Sequence, residues 1–411
     1  MKEKIYLTAG YNTISLGTGR KEFNPKKERP GIEHYISEAG KAVLEQIGGA
    51  EKVDEVVMSN FNASGYNNQA NIPGFAPMID EKLRFKSATR VEGACGSGGI
   101  AMVTSFKFLM SGMSDVIMAL GFEVQNSMKA VYGADVLAQA GWAKDRKAGH
   151  AHFFPGQFSD RAGVYFEKYG REYARKGFAR WYRNAIENAR LCPTAQEYHN
   201  TTKDLEKAAM REPNPKVFVE NLTVLDCSKV SDAASAIAVM TEEGLKRCGV
   251  DKKDAVEVVG FGHAEEDITK PPVDPVRLTT TEAAVKKALE MANLTMDDIG
   301  TIEAHDCFTV AGILAVETLG LAEPGKGAQF VYEGNTARDG KIPINTTGGL
   351  IGWGHPVGAT GVHQAVTIWE QLTGKAGDAQ IEIKPERPYG MTINMGGDDK
   401  SVVCVIYKRA E

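Results

Sequence analysis

The chain has 411 residues, 43 % hydrophobic and 25 % charged, with a formal net charge of −5. That balance fits a globular protein of two or three domains and excludes a disordered chain. No arginine-rich arm or basic–aromatic alternation points to nucleic acid, and no apolar run is long enough to span a bilayer. The N-terminal apolar stretch is too short for a signal-peptide core, so the expected location is the cytoplasm. Glycine is the one excess, 44 of 411 residues against a usual share of about 7 %. Without a Gly-X-Y period, it implies tight turns and close backbone approaches.

In chain order, buried strands are predicted at 5–9, 53–58, 88–92 and 116–120, with an amphipathic helix over 37–47. The strand at 88–92 runs into VEGACGSGGIAMV, which places Cys95 between a strand and an apolar helix. The glycines there permit a sharp turn that aims the thiol outward. A thiol at a helix N-terminus is expected to favour the thiolate, and its freed N–H can donate to an oxyanion. A small residue packed in a crowded turn is the equal alternative.

Residues 123–221 carry few strand signals and several aromatic, basic helices, and read as an insertion lying over one half of the molecule. His150 and His152 lie within it, on one face of a strand, and are too few to hold a metal. The basic residues from Arg20 to Arg29 and from Arg175 to Arg183 read as a solvated face rather than as phosphate ligands.

Further strands are predicted at 236–240, 256–260, 300–304, 391–395 and 402–407, with a helix over 280–293. The helix–loop–strand ending at His305 follows the same plan as the one ending at Asn60, and each leads to a glycine-rich turn and a helix. A duplicated domain accounts for this, with halves at 1–250 and 251–411.

Three more segments carry chemistry. In EAHDCFT, His305, Asp306 and Cys307 cluster at a strand end, where a second thiol suits proton transfer if a neighbouring imidazole brings it towards neutrality. In GGLIGWGHPVGATG, His355 stands among six glycines, close to a ligand or another loop. In GMTINMGGDDK, a hairpin brings the Gly396 N–H towards a site. A packed thiol and a structural histidine remain alternatives for the first two. The six cysteines, Cys95, Cys192, Cys227, Cys248, Cys307 and Cys404, form no C-x-x-C motif and are expected to be free thiols.

Together GACGSGG, HDCF, GGLIGWGHPVGATG and NMGG, with VSDAASAIAV, resemble the thiolase superfamily over almost the whole chain, in particular its sterol-carrier-protein-2-type members. The resemblance implies an α/β thiolase fold: duplicated βαβαβαββ halves in a five-layered αβαβα arrangement with an inserted loop domain. It implies Cys95 as the acyl-accepting nucleophile and His355 as its activator, with His305 helping to hold the oxyanion-hole water. Cys307 is implied as the acid/base thiol, and the N–H groups of Cys95 and Gly396 as a second oxyanion hole. Asn394 stands where commoner thiolases carry the cysteine of a C-x-G motif, and with Gly396 and Phe308 it belongs to the loops facing substrate. Asp398 replaces a further glycine.

The implied activity is thiolytic cleavage of a 3-oxoacyl-CoA, or the reverse Claisen condensation, with coenzyme A as co-substrate and no resident cofactor or metal. The implied partners are acyl-CoA substrates, a second copy in a homodimer and, in some relatives, a small zinc-containing OB-fold subunit. Alternatives are a thiolase for bulky or aromatic substrates such as 2-benzoylsuccinyl-CoA, a decarboxylating ketosynthase-like enzyme, and a non-catalytic acyl-CoA-binding scaffold.

Overall fold

The computed structural model describes residues 3–146 and 152–411; His150 falls outside them. Nine strands are present among these residues: β1 (Ile5–Asn12), β2 (Glu55–Ser59), β3 (Ser87–Val91), β4 (Val116–Val124), β5 (Asp232–Met240), β6 (Val256–Glu265), β7 (Ile299–Glu303), β8 (Tyr389–Gly396) and β9 (Ser401–Arg409). Each overlaps a strand expected from the sequence. Seven helices have at least ten residues: α1 (Ile32–Gln46), α2 (Ser97–Met110), α3 (Phe153–Tyr169), α4 (Arg171–Ala189), α5 (Thr279–Ala292), α6 (Thr309–Thr318) and α7 (Thr360–Thr373). None is long and apolar enough to cross a membrane.

The strands line up in the order β3-β2-β4-β5-β1-β6-β9-β8-β7. β2 pairs in parallel with β3 and β4, whereas β4–β5 and β5–β1 are antiparallel. The second half repeats the scheme. β7–β8 is parallel, β8–β9 and β9–β6 are antiparallel, and a single parallel bridge from Ile302 to Ile344 stands where β3 stands in the first half. The two halves join edge to edge through three antiparallel residue pairs between β1 and β6.

Three apolar clusters define the layers. α1 packs outside the first-half strands. α2 and α7 share one cluster with inward residues from both halves, including Leu7, Ile117, Val239, Val258 and Val405. α5 and α6 cover the second half, together with α3 and α4 of the segment between β4 and β5. That segment, 125–231, has no strand among its described residues and lies over the second half.

The middle layer exists because of glycine. A Cβ on Gly98 of α2 would lie 2.5 Å from the Gly361 nitrogen and 2.7 Å from its Cα, in α7, and Gly361 meets the Gly99 backbone just as closely. The two helices therefore touch backbone to backbone at their N-terminal ends, a contact no larger residue permits. Gly98→Ala is expected to cost about 1–3 kcal/mol through overpacking against unyielding backbone. Gly133→Ala, where the nearest atom lies 3.8 Å away, should leave the melting temperature unchanged or raise it. Thermal melts of the two variants check this; equal melting temperatures would refute the crossing constraint.

Candidate active site

Cys95 sits in a 3-10 turn, Ala94–Gly96, between β3 and α2. The left-handed residue of that turn is Ala94, with φ +52°, and none of Gly93, Gly96, Gly98 and Gly99 has a positive φ. The sequence assigned the turn to these glycines; at Gly96, Gly98 and Gly99 the role is instead steric, because a Cβ would strike β8, β9 or α7. On Gly96 it would lie 3.3 Å from the Gly396 nitrogen, and on Gly99 3.1 Å from Asn394. The non-glycine left-handed conformation costs of the order of 1–3 kcal/mol and is held by surrounding bonds. Ser97 Oγ accepts from the Gly93 N–H at 3.0 Å and donates to the Ala94 carbonyl at 2.6 Å.

Around Cys95 the structure gathers His305, from the turn after β7, and His355, from the loop before α7. One ligand-type atom from each of the three lies within 4.8 Å of the other two. The rings of His305 and His355 meet edge to face, with centroids 5.2 Å apart. All three side chains are buried, and burial sets their charge. It pushes the Cys95 thiol up to about 12, over the opposing pull of the Gly397 N–H. It lowers His355 to about 3 and holds His305, which also faces His355, well below the usual histidine range. Cys307 is raised well above the thiol range, first by burial and next by Cys95 beside it. The expected thiolate at Cys95 and near-neutral thiol at Cys307 are thus corrected. Desolvation outweighs the helix terminus, and no imidazolium is present to offset it.

The hydrogen bonds of the two rings differ in polarity. His355 Nδ1 lies 2.7 Å from Thr360 Oγ1, whose hydroxyl donates to the Pro356 carbonyl at 3.2 Å. Thr360 therefore accepts from Nδ1–H, and the His355 Nε2 lone pair is left without a partner. His305 Nδ1 instead faces Asn394 Nδ2 at 3.2 Å, an amide donor, which places the His305 proton on Nε2. A base and a donor thus flank the thiol. A three-ligand metal site has the same spacing, but it requires a lone pair from each ring, and here one of the two rings presents an N–H.

The other sequence-chosen residues converge on the same place. The Asn394 amide donates to the Cys95 carbonyl at 3.0 Å and accepts from the Gly99 N–H at 2.8 Å. Gly396 backs onto the Cys95 turn, but the N–H that acts on the thiol is that of Gly397. Phe308 stacks on Phe158 of α3, centroids 4.4 Å apart. Asp398 accepts from Arg161 Nε at 2.7 Å in a buried pair, so its carboxylate ties the 396–400 turn to α3.

Two buried carboxyl groups hold these loops, Glu123, which the sequence did not single out, and Asp306, which it placed in the strand-end cluster. Glu123, a carboxyl inside the apolar strand VIMALGFEV, accepts from the N–H groups of Phe61, Asn62 and Gly358 and from Asn60 Nδ2. It tethers the His355 loop to the first half, and burial raises it to about 7. Asp306 accepts from Trp181 Nε1 at 2.9 Å and from the Leu350 N–H at 2.7 Å. Of the basic stretches, Lys21, Lys26 and Lys27 are exposed, as a solvated face requires, whereas the buried arginines are occupied structurally. Arg20 caps the carbonyls of Pro193 and Ala195, and Arg175 pairs with buried Asp226. Arg180 and Arg183 share Glu206.

A model of the thiolase N-terminal domain matches residues 21–243, and a thiolase C-terminal domain-like model matches residues 260–409. Over 384 residues the chain is 33 % identical to an acetyl-CoA acetyltransferase of Methanothermobacter thermautotrophicus, covering 91 % of this chain and 94 % of the relative. Sterol carrier protein 2 of Homo sapiens is 31 % identical over 334 residues, 77 % of this chain and 58 % of that longer protein. The solved Ltp2-ChsH2(DUF35) aldolase superposes with a TM-score of 0.76 at 19 % identity, over 99 % of this chain and 98 % of that one.

A thiol raised to about 12 is protonated at neutral pH, and its thiolate fraction grows about tenfold per pH unit below that value. Alkylation of Cys95 by iodoacetamide, followed by mass spectrometry, should therefore keep rising from about pH 7 to 9.5. A plateau near the free-thiol value of about 8.5 would contradict the burial argument.

Proposed function

The chain belongs to the thiolase superfamily as a sterol-carrier-protein-2-type member, and from that premise we propose how its own residues carry the reaction. The protein is an acyltransferase catalysing CoA-dependent thiolytic cleavage of a 3-oxoacyl-CoA, or the reverse Claisen condensation. The observation that carries the residue assignment is the opposed polarity of two buried histidines beside one buried thiol.

Cys95 Sγ attacks the 3-oxo carbon as its proton passes to the unpartnered His355 Nε2. Transfer in step with attack suits a buried site, since a free thiolate there is costly. The oxyanion is received by the backbone N–H groups beside Cys95 and in the 396–397 turn. When the C2–C3 bond breaks, the His305 Nε2–H and the protonated His355 stabilise the enolate oxygen, and the Cys307 thiol protonates its carbon. The Cys307 thiolate then takes the proton of the incoming CoA thiol, which displaces the acyl group from Cys95. His355 returns its proton to the departing Cys95 sulfur, and the cycle closes. Each oxyanion donor supplies about 3 kcal/mol.

We also propose a homodimer, placed in the cytoplasm. β3 ends the sheet with one side unpaired, an edge that invites a second copy. Phe85, just before β3, is 96 % exposed and held at φ +68°, which suits an anchor on a partner surface. The six cysteines are unpaired, as in a reducing compartment. A small zinc-containing OB-fold subunit is part of the proposal, supported by the pairing named in Ltp2-ChsH2(DUF35).

Two experiments test these readings. Cys95→Ala should abolish thiolysis and acylation by labelled acetyl-CoA. Cys307→Ala should still acylate at Cys95, more slowly because the departing CoA thiolate loses its proton donor, yet lose cleavage and α-proton exchange by at least ~100-fold; unimpaired exchange would remove Cys307 from its role. Light scattering should give twice the chain mass of 44.5 kDa for the wild type and a shift towards monomer for Phe85→Asp. A monomeric wild type would end the dimer proposal.

A further inference from the structure

Asn394 is buried on β8, and both amide hydrogens and one lone pair of its carbonyl oxygen are committed. Oδ1 accepts from the Gly99 N–H at 2.8 Å, and Nδ2 donates to the Cys95 carbonyl at 3.0 Å and faces His305 Nδ1 at 3.2 Å. The two backbone partners fix which end of the amide is which. Rotating it by 180° would set the NH2 against the Gly99 N–H and Oδ1 against the Cys95 carbonyl, two like-with-like contacts in a dry interior. Nor can the amide move aside, because the Gly99 and Gly361 backbones press on it from positions where even a Cβ would collide. The amide therefore offers His305 a donor and cannot offer an acceptor.

We propose that Asn394 is a positioning residue that locks His305 in its Nε2–H tautomer, so that the ring presents a fixed N–H and never a lone pair to the carbonyl carried by Cys95. The same lock denies a thiophilic cation its third ligand from the Cys95–His305–His355 trio. Its catalytic consequence rests on the oxyanion role given above to His305; the tautomer itself does not. Asn394 acts on the reaction through His305 and through the turn that holds Cys95, both of which it binds directly. This makes the position that lacks the C-x-G cysteine a structural determinant of the site.

Nitrogen-15 NMR of histidine-labelled protein reads the tautomer directly. His305, assigned by its loss in His305→Asn, should show protonated Nε2 and unprotonated Nδ1. In Asn394→Asp the carboxylate accepts from Nδ1–H, and the signal should change to a protonated Nδ1. A wild-type His305 protonated at Nδ1, or an Asn394→Asp protein that keeps the wild-type signal, overturns the lock. In thiolysis, Asn394→Asp should lower kcat ~100-fold with little change in KM, and more than Asn394→Ala, which removes the same ties without imposing the opposite tautomer. A loss from Ala as large as from Asp would mean the amide serves only structure. In a His305→Asn background, whose amide can donate without a tautomer, Asn394→Asp should cost less than about threefold further. An equal ~100-fold loss there overturns the coupling. A locked tautomer with unchanged kcat in Asn394→Asp would support the lock and overturn instead the role assigned to His305. Circular dichroism melts identify any variant that fails to fold.

Discussion

The backbone contact between Gly98–Gly99 of α2 and Gly361 of α7 is the constraint on which the remaining geometry depends. Each central helix begins in a loop that carries one reactive group, Cys95 for one and His355 for the other. With any side chain at the crossing, the helices would separate by the depth of that side chain, and a proton could no longer pass directly between the two groups. The excess of glycine is thus partly a consequence of bringing two halves of a duplicated chain into contact. Left-handed backbone is a lesser reason at these positions. It does govern Gly348, Gly349 and Gly354, where φ is +114°, +59° and +119°, and these turn the chain into the His355 loop.

Close approach also buries the reactive groups, and burial decides their protonation. Exposure to solvent would allow Cys95 to ionise and the histidines to charge; buried, the two thiols and the two imidazoles rest in their neutral forms. A pair of neutral imidazoles is useful only if their tautomers differ, because one must accept a proton while the other donates. Thr360 and Asn394 supply that asymmetry with one hydrogen bond each. The chemistry therefore needs no preformed ion, and charge arises only when a substrate carbonyl is present to receive it.

The legible part of the sequence was the part set by local pattern. All nine strands were visible as short apolar runs, and Cys95, His305, Cys307 and His355 stood out because a reactive residue among glycines or at a strand end is unusual. The two halves followed from the repeated helix–strand plan, and the layers from the resemblance to the family. What remained hidden depends on contacts between segments distant in sequence. Arg20 and Arg175 looked like free charge because the Pro193 and Ala195 carbonyls that hold the first and the Asp226 carboxylate that holds the second lie elsewhere in the chain. The raised thiols were misjudged because a helix N-terminus is visible locally and desolvation is not. Glu123 left a signal, a carboxyl inside an apolar strand, and Asn394 left one as a departure from the family pattern, yet neither spelled out its partners.

The segment between β4 and β5 adds a second level of control, because it clamps two of the four reactive loops without supplying a reacting group. Trp181 holds Asp306, Phe158 stacks on Phe308, and Arg161 anchors Asp398. The glycine at 312 leaves room for the Trp181 ring against α6, so the insertion is fitted to the second half and not merely laid across it. Each of these contacts fixes a residue adjacent to a catalytic one, His305 and Cys307 on either side of Asp306, and Gly397 before Asp398. The duplicated core thus brings the nucleophile and its base together, while the insertion orients the groups that handle the enolate.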